Sequence, residues 1–317
     1  MPNGFDRDCR VDIAIVPRKI LFPLDNFIPI GSPPSYSNLP DIHAILACVE
    51  HTVSTGSKGF RHNQDHAYAK LNELLKCPLN LCSIVLGVQG QEIAIWYGDR
   101  SGIIVVRLGA HPSYIHTALV GLANLPFGRD PCVSIHQIRP SRAYKITLGT
   151  EIYYGLYGME DTALYIADGI NSRGTLVLAG IQDGPRVDTD TVAAFDAAAD
   201  KDRVAIKFSH PSIPWDMNVS LDGSAHSPRC TLEWEVLETL ASFHIPHTPR
   251  LVAHDEQSIT TKQIREAVGL KSERYRIRTI LVTQPLAHST LRKEIKKGTQ
   301  IDLHLLVCVL KDVVEGT

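Results

Sequence analysis

Residues Arg203–Phe208 alternate in the way a half-buried strand does, and they constrain the chain more than any other stretch. In Val204-Ala205-Ile206-Lys207 the period of two puts Ala205 and Lys207 on the same face. A helix is predicted shortly afterwards, over Thr231–Ser242, with Glu233 on its inner side. This order sets a cation on a sheet and an acid on the helix that follows. Further strands are expected at Arg250–Ala253 and Arg276–Thr283.

The chain has room for two domains, at 317 residues, and for sizeable cores. Apolar content of 44% and charged content of 21% are those of an ordinary globular protein. A formal net charge of -2 gives no electrostatic footprint for nucleic acid or an anionic membrane. No apolar run approaches the ~18 residues needed to span a bilayer. The start, Met1-Pro2-Asn3-Gly4-Phe5-Asp6, lacks the basic and apolar regions of a signal peptide. Seven cysteines form an odd set without a Cys-x-x-Cys pair, which argues against a disulfide framework or a zinc site. A reducing intracellular location, cytoplasmic or nuclear, is expected.

Three stretches emerge along the chain. Residues 1–40 are broken by Pro17, Pro23, Pro29 and the Gly31-Ser32-Pro33-Pro34-Ser35 run and read as poorly organised. Residues 41–150 read as an α+β domain. It has an apolar strand at Ile42–Val49 and a helix over Asp65–Leu75, with Tyr68, Leu71, Leu74 and Leu75 on one face. A strand at Ser83–Val88 follows, then a hairpin of Glu92–Tyr97 and Ile103–Leu108 about Gly98–Gly102. Ile115–Ala123 reads as a further helix. Residues 160–317 form a third stretch, starting with strands at Leu164–Ile170 and Thr175–Ile181. A polar, alanine-rich insertion over Gln182–Asp202 leads into the Arg203–Phe208 strand. A charged stretch occupies Asp255–Arg274, and short helices are predicted at Leu291–Lys297 and Leu303–Val314.

Binding a nucleotide in this arrangement needs a cation at the phosphates and an acid that keeps it aimed. Lys207 is the candidate cation, and Ala205 on the same face is the candidate roof over an adenine. Two acids compete to hold Lys207. Val236, Leu237 and Leu240 lie three, four and seven positions after Glu233, which places Glu233 on the side of the apolar stripe. Glu235 is turned by about 200° from it, at ~100° per residue, and is expected to face solvent. The phosphate-loop candidate is Gly169-Ile170-Asn171-Ser172-Arg173-Gly174. It keeps the outer glycines of Gly-x-Gly-x-x-Gly and has Asn171 in place of the middle one. Arg173 reads either as a compensating phosphate contact or as a solvated loop arginine.

Taken in order, these motifs resemble the fungal-type protein kinase domain family over roughly residues 40–317. The resemblance is carried by Lys207 in Val-Ala-Ile-Lys, Glu233, Arg173-Gly174-Thr175 and Ile245–Arg250. Upstream it is carried by Asp99-Arg100-Ser101-Gly102 and Gly128-Arg129-Asp130-Pro131. It implies an α+β protein: an N-terminal α+β domain, a kinase-like small lobe of antiparallel sheet plus one main helix, and the first helices of an incomplete large lobe. It implies ATP as ligand, with Lys207, Glu233, Ala205, Gly169, Gly174 and Arg173 as nucleotide-site residues. After Lys207 the sequence has no His-Arg-Asp, no downstream Asn in that motif and no Asp-Phe-Gly. Those motifs supply the base and the magnesium ligands in kinases. The expectation is therefore weak ATP binding, magnesium not well held, no catalytic residue, and a regulatory or scaffold role. The alternative is an incomplete gene product of an active serine/threonine-type kinase.

Three further patterns stand in the sequence. Leu303, Leu306, Val307, Leu310 and Val314 form a stripe whose burial would contribute about 7–15 kcal/mol at ~1.5–3 kcal/mol each. This predicts a partner protein covering that face. His62 and His66 share a helical face but read as solvated, with no third metal ligand in view. Asp41 with Glu50-His51-Thr52 resembles the acid pair of nuclease folds, but Thr52 stands where a lysine is needed. That leaves a degenerate nuclease-like N-terminal domain as the last alternative.

Overall fold

The computed structural model describes residues 13–15, 47–52, 56–89, 92–109, 113–114, 117, 128–137, 142–157, 163–167, 169–170, 173–184, 191–212, 232–244, 248–255, 257, 259–271 and 275–286. Within them the protein is mixed α+β, with two sheets and four α-helices. The chain divides into two compact units that are not contiguous in sequence. The first unit takes Met1–Pro131, Ala167–Gly174 and Thr260–Arg276; the second takes Cys132–Ile166, Thr175–Ile259 and Ile277–Thr317.

The first unit is built on a five-stranded sheet in chain order. Its strands are β1 (Ile13–Ile15), β2 (Ala47–Thr52), β3 (Cys82–Gln89), β4 (Glu92–Asp99) and β5 (Gly102–Leu108). β2 and β3 run parallel, which requires a crossover. Helix α1 (Gly56–Lys76) makes it. Ala67, Leu71, Leu74 and Leu75 of α1 are buried against Val85, Ala94 and Trp96. The sequence placed Tyr68 on this face. Tyr68 is instead 36% exposed and accepts a hydrogen bond from Gln64 Nε2 at 2.7 Å, while the smaller Ala67 lies against the sheet.

β3 is apolar along nearly its whole length because both of its faces are covered. Val85 points to α1, whereas Ile84 and Leu86 join Ile93 and Tyr97 on the opposite face, against Ile264 and Leu270. Ile264 belongs to a short helix, labelled α4 in chain order (Thr261–Ala267), which lies in the stretch read from sequence as merely charged. Thr260 starts it: its Oγ1 accepts from Gln263 N at 3.2 Å, and Gln263 Oε1 accepts from Thr260 N at 2.8 Å.

The second unit is an antiparallel eight-stranded sheet in the order β12-β13-β11-β10-β8-β7-β6, with β9 also on β10. Its strands are β6 (Val133–Gln137), β7 (Arg142–Leu148), β8 (Glu151–Tyr157), β9 (Ala163–Ile166), β10 (Leu176–Gln182), β11 (Arg203–Ser209), β12 (Arg250–His254) and β13 (Thr279–Gln284). The meander β6–β8 was not anticipated. β7 and β8 meet at Leu148↔Glu151 across a two-residue turn, where Gly149 has φ +60°. In the alanine-rich insertion, α2 (Thr191–Ala197) packs Ala194 and Phe195 on Tyr154 and Ile181. Arg203 lies over the Phe195 ring at 4.8 Å.

Helix α3 (Glu233–Ser242) completes the second unit. No helix among the described residues is long and apolar enough to cross a membrane. The expected helices at 115–123, 291–297 and 303–314 lie outside the described residues or mostly so, as do Asp41, Asn171 and the stripe through Leu303, Leu306, Val307 and Leu310.

Candidate functional site

β11 has the alternation that its sequence implies. Val204, Ile206 and Phe208 are buried, while Ala205 and Lys207 are half-buried on the other face. The ladders fix what surrounds them. Lys207 pairs with Val177 of β10 on one side and Leu281 of β13 on the other, and Ala205 pairs with Ala179 and Thr283. Directly opposed residues in an antiparallel sheet share a face. Lys207 therefore stands over a floor of small and aliphatic side chains.

Lys207 is held by Glu233. Its Nζ donates to both Oε1 and Oε2 at 2.6 Å. The lysine side chain is 30% exposed and the glutamate 48%. An ion pair this open contributes about 0–1 kcal/mol to stability, so its consequence is positional. The amino group is fixed at the sheet surface and stays partly open to solvent.

Glu233 reaches Lys207 for a reason different from the stripe argument. Glu233 is the first residue of α3, and Val236, assigned to the inner face from spacing, is 42% exposed. Trp234 docks the helix instead, with its ring stacked on His254 of β12 at 4.4 Å and an interplanar angle of 1°. His254 pairs with Leu281, which pairs with Lys207. The stack therefore lies on the Lys207 face of the sheet and delivers the neighbouring Glu233 to it. Glu235 does not stand free in solvent: it turns back, and its Oε2 accepts from Leu232 N at 2.9 Å. The helix start uses one acid as a cap and the other as a partner for Lys207. Sequence reading missed Trp234 and His254; an aromatic directly after the pairing acid was the available signal.

Gly169, Gly174 and Arg173 belong to the first unit, whereas Ala205, Lys207 and Glu233 belong to the second. Both glycines have positive φ, +88° and +57°, which side-chain-bearing residues rarely adopt. Between them Ile170, 8% exposed, sits in the core made by Leu71, Leu74, Leu75 and Trp96. Part of the glycine turn is thus committed to packing within the first unit, and Arg173 is exposed. His62 and His66 place their rings 4.2 Å apart on α1, and among the described residues no group of three or more His, Cys, Asp or Glu is placed to hold a metal.

The described geometry defines a two-sheet α+β protein whose second sheet carries a lysine fixed by a helix glutamate. No family model matches the chain, and no significant match was found among curated proteins or solved structures.

Proposed function

We propose that the second unit is a protein-kinase-like nucleotide lobe in which Lys207, aimed by Glu233, anchors the phosphates of ATP, with Ala205 toward the base. The observation that carries this reading is the two-oxygen grip of Glu233 on Lys207 across strand and helix. A kinase lobe uses such a pair to hold a cation at the α- and β-phosphates. The reading concerns binding. After Lys207 the 317 residues hold no His-Arg-Asp and no Asp-Phe-Gly, so a base and a magnesium carboxylate from those motifs are not among them. The related class is the fungal-type protein kinase family, and a regulatory or scaffolding role and a catalytic one are both compatible with ATP held at Lys207.

A thermal-shift titration with ATP, with and without magnesium, tests this. Saturable stabilisation is expected, largely independent of magnesium. Lys207→Met should abolish it, and Glu233→Gln should weaken it by roughly tenfold, the size of one charge-assisted contact. A wild-type protein indifferent to ATP, or a Lys207→Met variant that responds normally, refutes the proposal.

A further inference from the structure

One buried side chain of the first unit has donors with no acceptor among the described residues. Arg100, in the turn after β4, is 4% exposed. Its Nη2 donates to the carbonyl of Leu75 near the end of α1. Its Nε and Nη1 meet no acceptor among the described residues. A buried charged donor left open is costly, and native proteins satisfy such groups with water or an ion.

The neighbouring carboxylate is already committed. Asp99 is fully buried and is taken by Arg265 of α4, Nε to Oδ2 at 2.5 Å and Nη2 to Oδ1 at 2.7 Å. The chain brings two further arginines close to Arg100. Gly174 lies against it so closely that a Cβ there would fall 2.4 Å from Arg100 Nε, and the preceding residue is the exposed Arg173. Arg276, half-buried, donates its backbone N–H to Thr261 Oγ1 at 2.9 Å, and that hydroxyl lies 2.6 Å from Ser101 Oγ, next to Arg100 in the chain. Arg276 is the link between the other two. Burial first, then the Arg276 charge, pushes Arg100 down to about 10. Burial and then the Arg173 charge lower Arg276, opposed by Asp99.

We infer that Arg100, Arg173 and Arg276, around the Gly174 turn, form a binding site for a compact oxyanion of the phosphate class. Arg100 is buried and offers two N–H donors without an acceptor among the described residues, Arg276 is half-buried, and Arg173 is exposed. Planar guanidinium forks match tetrahedral oxyanions, and three of them suit a dianion better than a single carboxylate. Gly174 admits the approach because a side chain there would occupy the place of the guanidinium. The site lies wholly within the first unit and does not rest on the Lys207 reading.

The test uses the full chain and inorganic phosphate, with sodium chloride at matched ionic strength as reference. Phosphate should raise the melting temperature saturably, beyond the chloride effect. Arg276→Gln should weaken the apparent affinity by at least roughly tenfold, and Arg173→Gln by roughly threefold, as expected for charged contacts at increasing exposure. Arg61→Gln, an exposed change on α1, is the charge-matched control and should leave the response unchanged. ADP in a parallel titration separates the source: a stronger response to phosphate assigns a free anion, and a stronger response to ADP that Arg276→Gln removes assigns the phosphoryl end of a larger ligand. A phosphate effect no larger than chloride, or one undiminished in the Arg173→Gln/Arg276→Gln double variant, overturns the inference.

Discussion

Cys82 on β3 illustrates how one buried group writes a pH dependence into the first unit. Burial, partly offset by the nearby Tyr97 hydroxyl and reinforced by the charge of Asp99, pushes its thiol from 9.0 up to about 11. The folded protein therefore keeps a proton that the unfolded chain gives up above pH 9. Stability from this group is fully present below that pH and is lost as pH rises through 9 to 11. The loss between pH 9 and 10 is about 1 kcal/mol. Urea unfolding at pH 8, 9 and 10 should show this slope in the wild type and a flatter profile for Cys82→Ala. Tyr97, raised above its ordinary range mainly by burial, adds a further loss beyond its unfolded value of 10.0. Residues of this kind were the hardest to read from sequence. Lys207, Ala205 and Glu233 stood out because their chemistry is local: an alternating strand and an acid early in the next helix. Arg265 and Arg100 did not, because an arginine in a charged stretch or in a hairpin turn reads as solvated. The partner that lets Arg265 be buried, Asp99, is 166 residues away.

At the level of elements, α3 is an almost uncovered helix held at one end. None of its residues is buried, and Phe243 just beyond it is 71% exposed. The Trp234–His254 stack is its clearest anchor, and such a pair contributes ~0.5–1.5 kcal/mol beyond the area it covers. Trp234→Ala should raise amide exchange across 233–242 while leaving α1 and β3 protected. It should also reduce the ATP response about as much as Glu233→Gln, because the acid loses its aim. Strands β3 to β5 and β9 to β13 were legible from apolar runs and alternation. The β6–β8 meander carries its own signal, because Ala143–Leu148 alternates and Gly149-Thr150 is a short turn, but that signal is local and weak beside the longer apolar runs. α4 was missed because its inward face is Thr261, Ile264 and Arg265, with only one aliphatic side chain to signal a period.

The whole molecule is organised by interleaving. The first unit's core borrows Ile170 from one later stretch, and Ile264, Leu270 and Arg265 from another. A fragment ending at Pro131 keeps Asp99 buried by design but lacks the arginine that neutralises it. Removing one partner of a buried pair costs about 3–5 kcal/mol, a large share of a domain's ~5–15 kcal/mol. Fragment 1–131 is therefore expected to lack a cooperative unfolding transition, whereas the full chain shows one for this unit. Calorimetry and near-ultraviolet dichroism of Trp96 check this, and a fragment as cooperative as the intact protein would contradict it. The composite nature of this unit was not legible in the sequence, where the strand ladder up to Leu108 reads as a self-sufficient domain.

The same interleaving sets a clock on synthesis. Pro131 and Arg276 are 145 residues apart, and a ribosome adds ~5–20 residues per second. For on the order of ten seconds the nascent chain carries the five-stranded sheet with one face, Ile84, Leu86, Ile93 and Tyr97, awaiting the segment that covers it. During that interval the growing polypeptide is a natural client for chaperones that shield apolar surface.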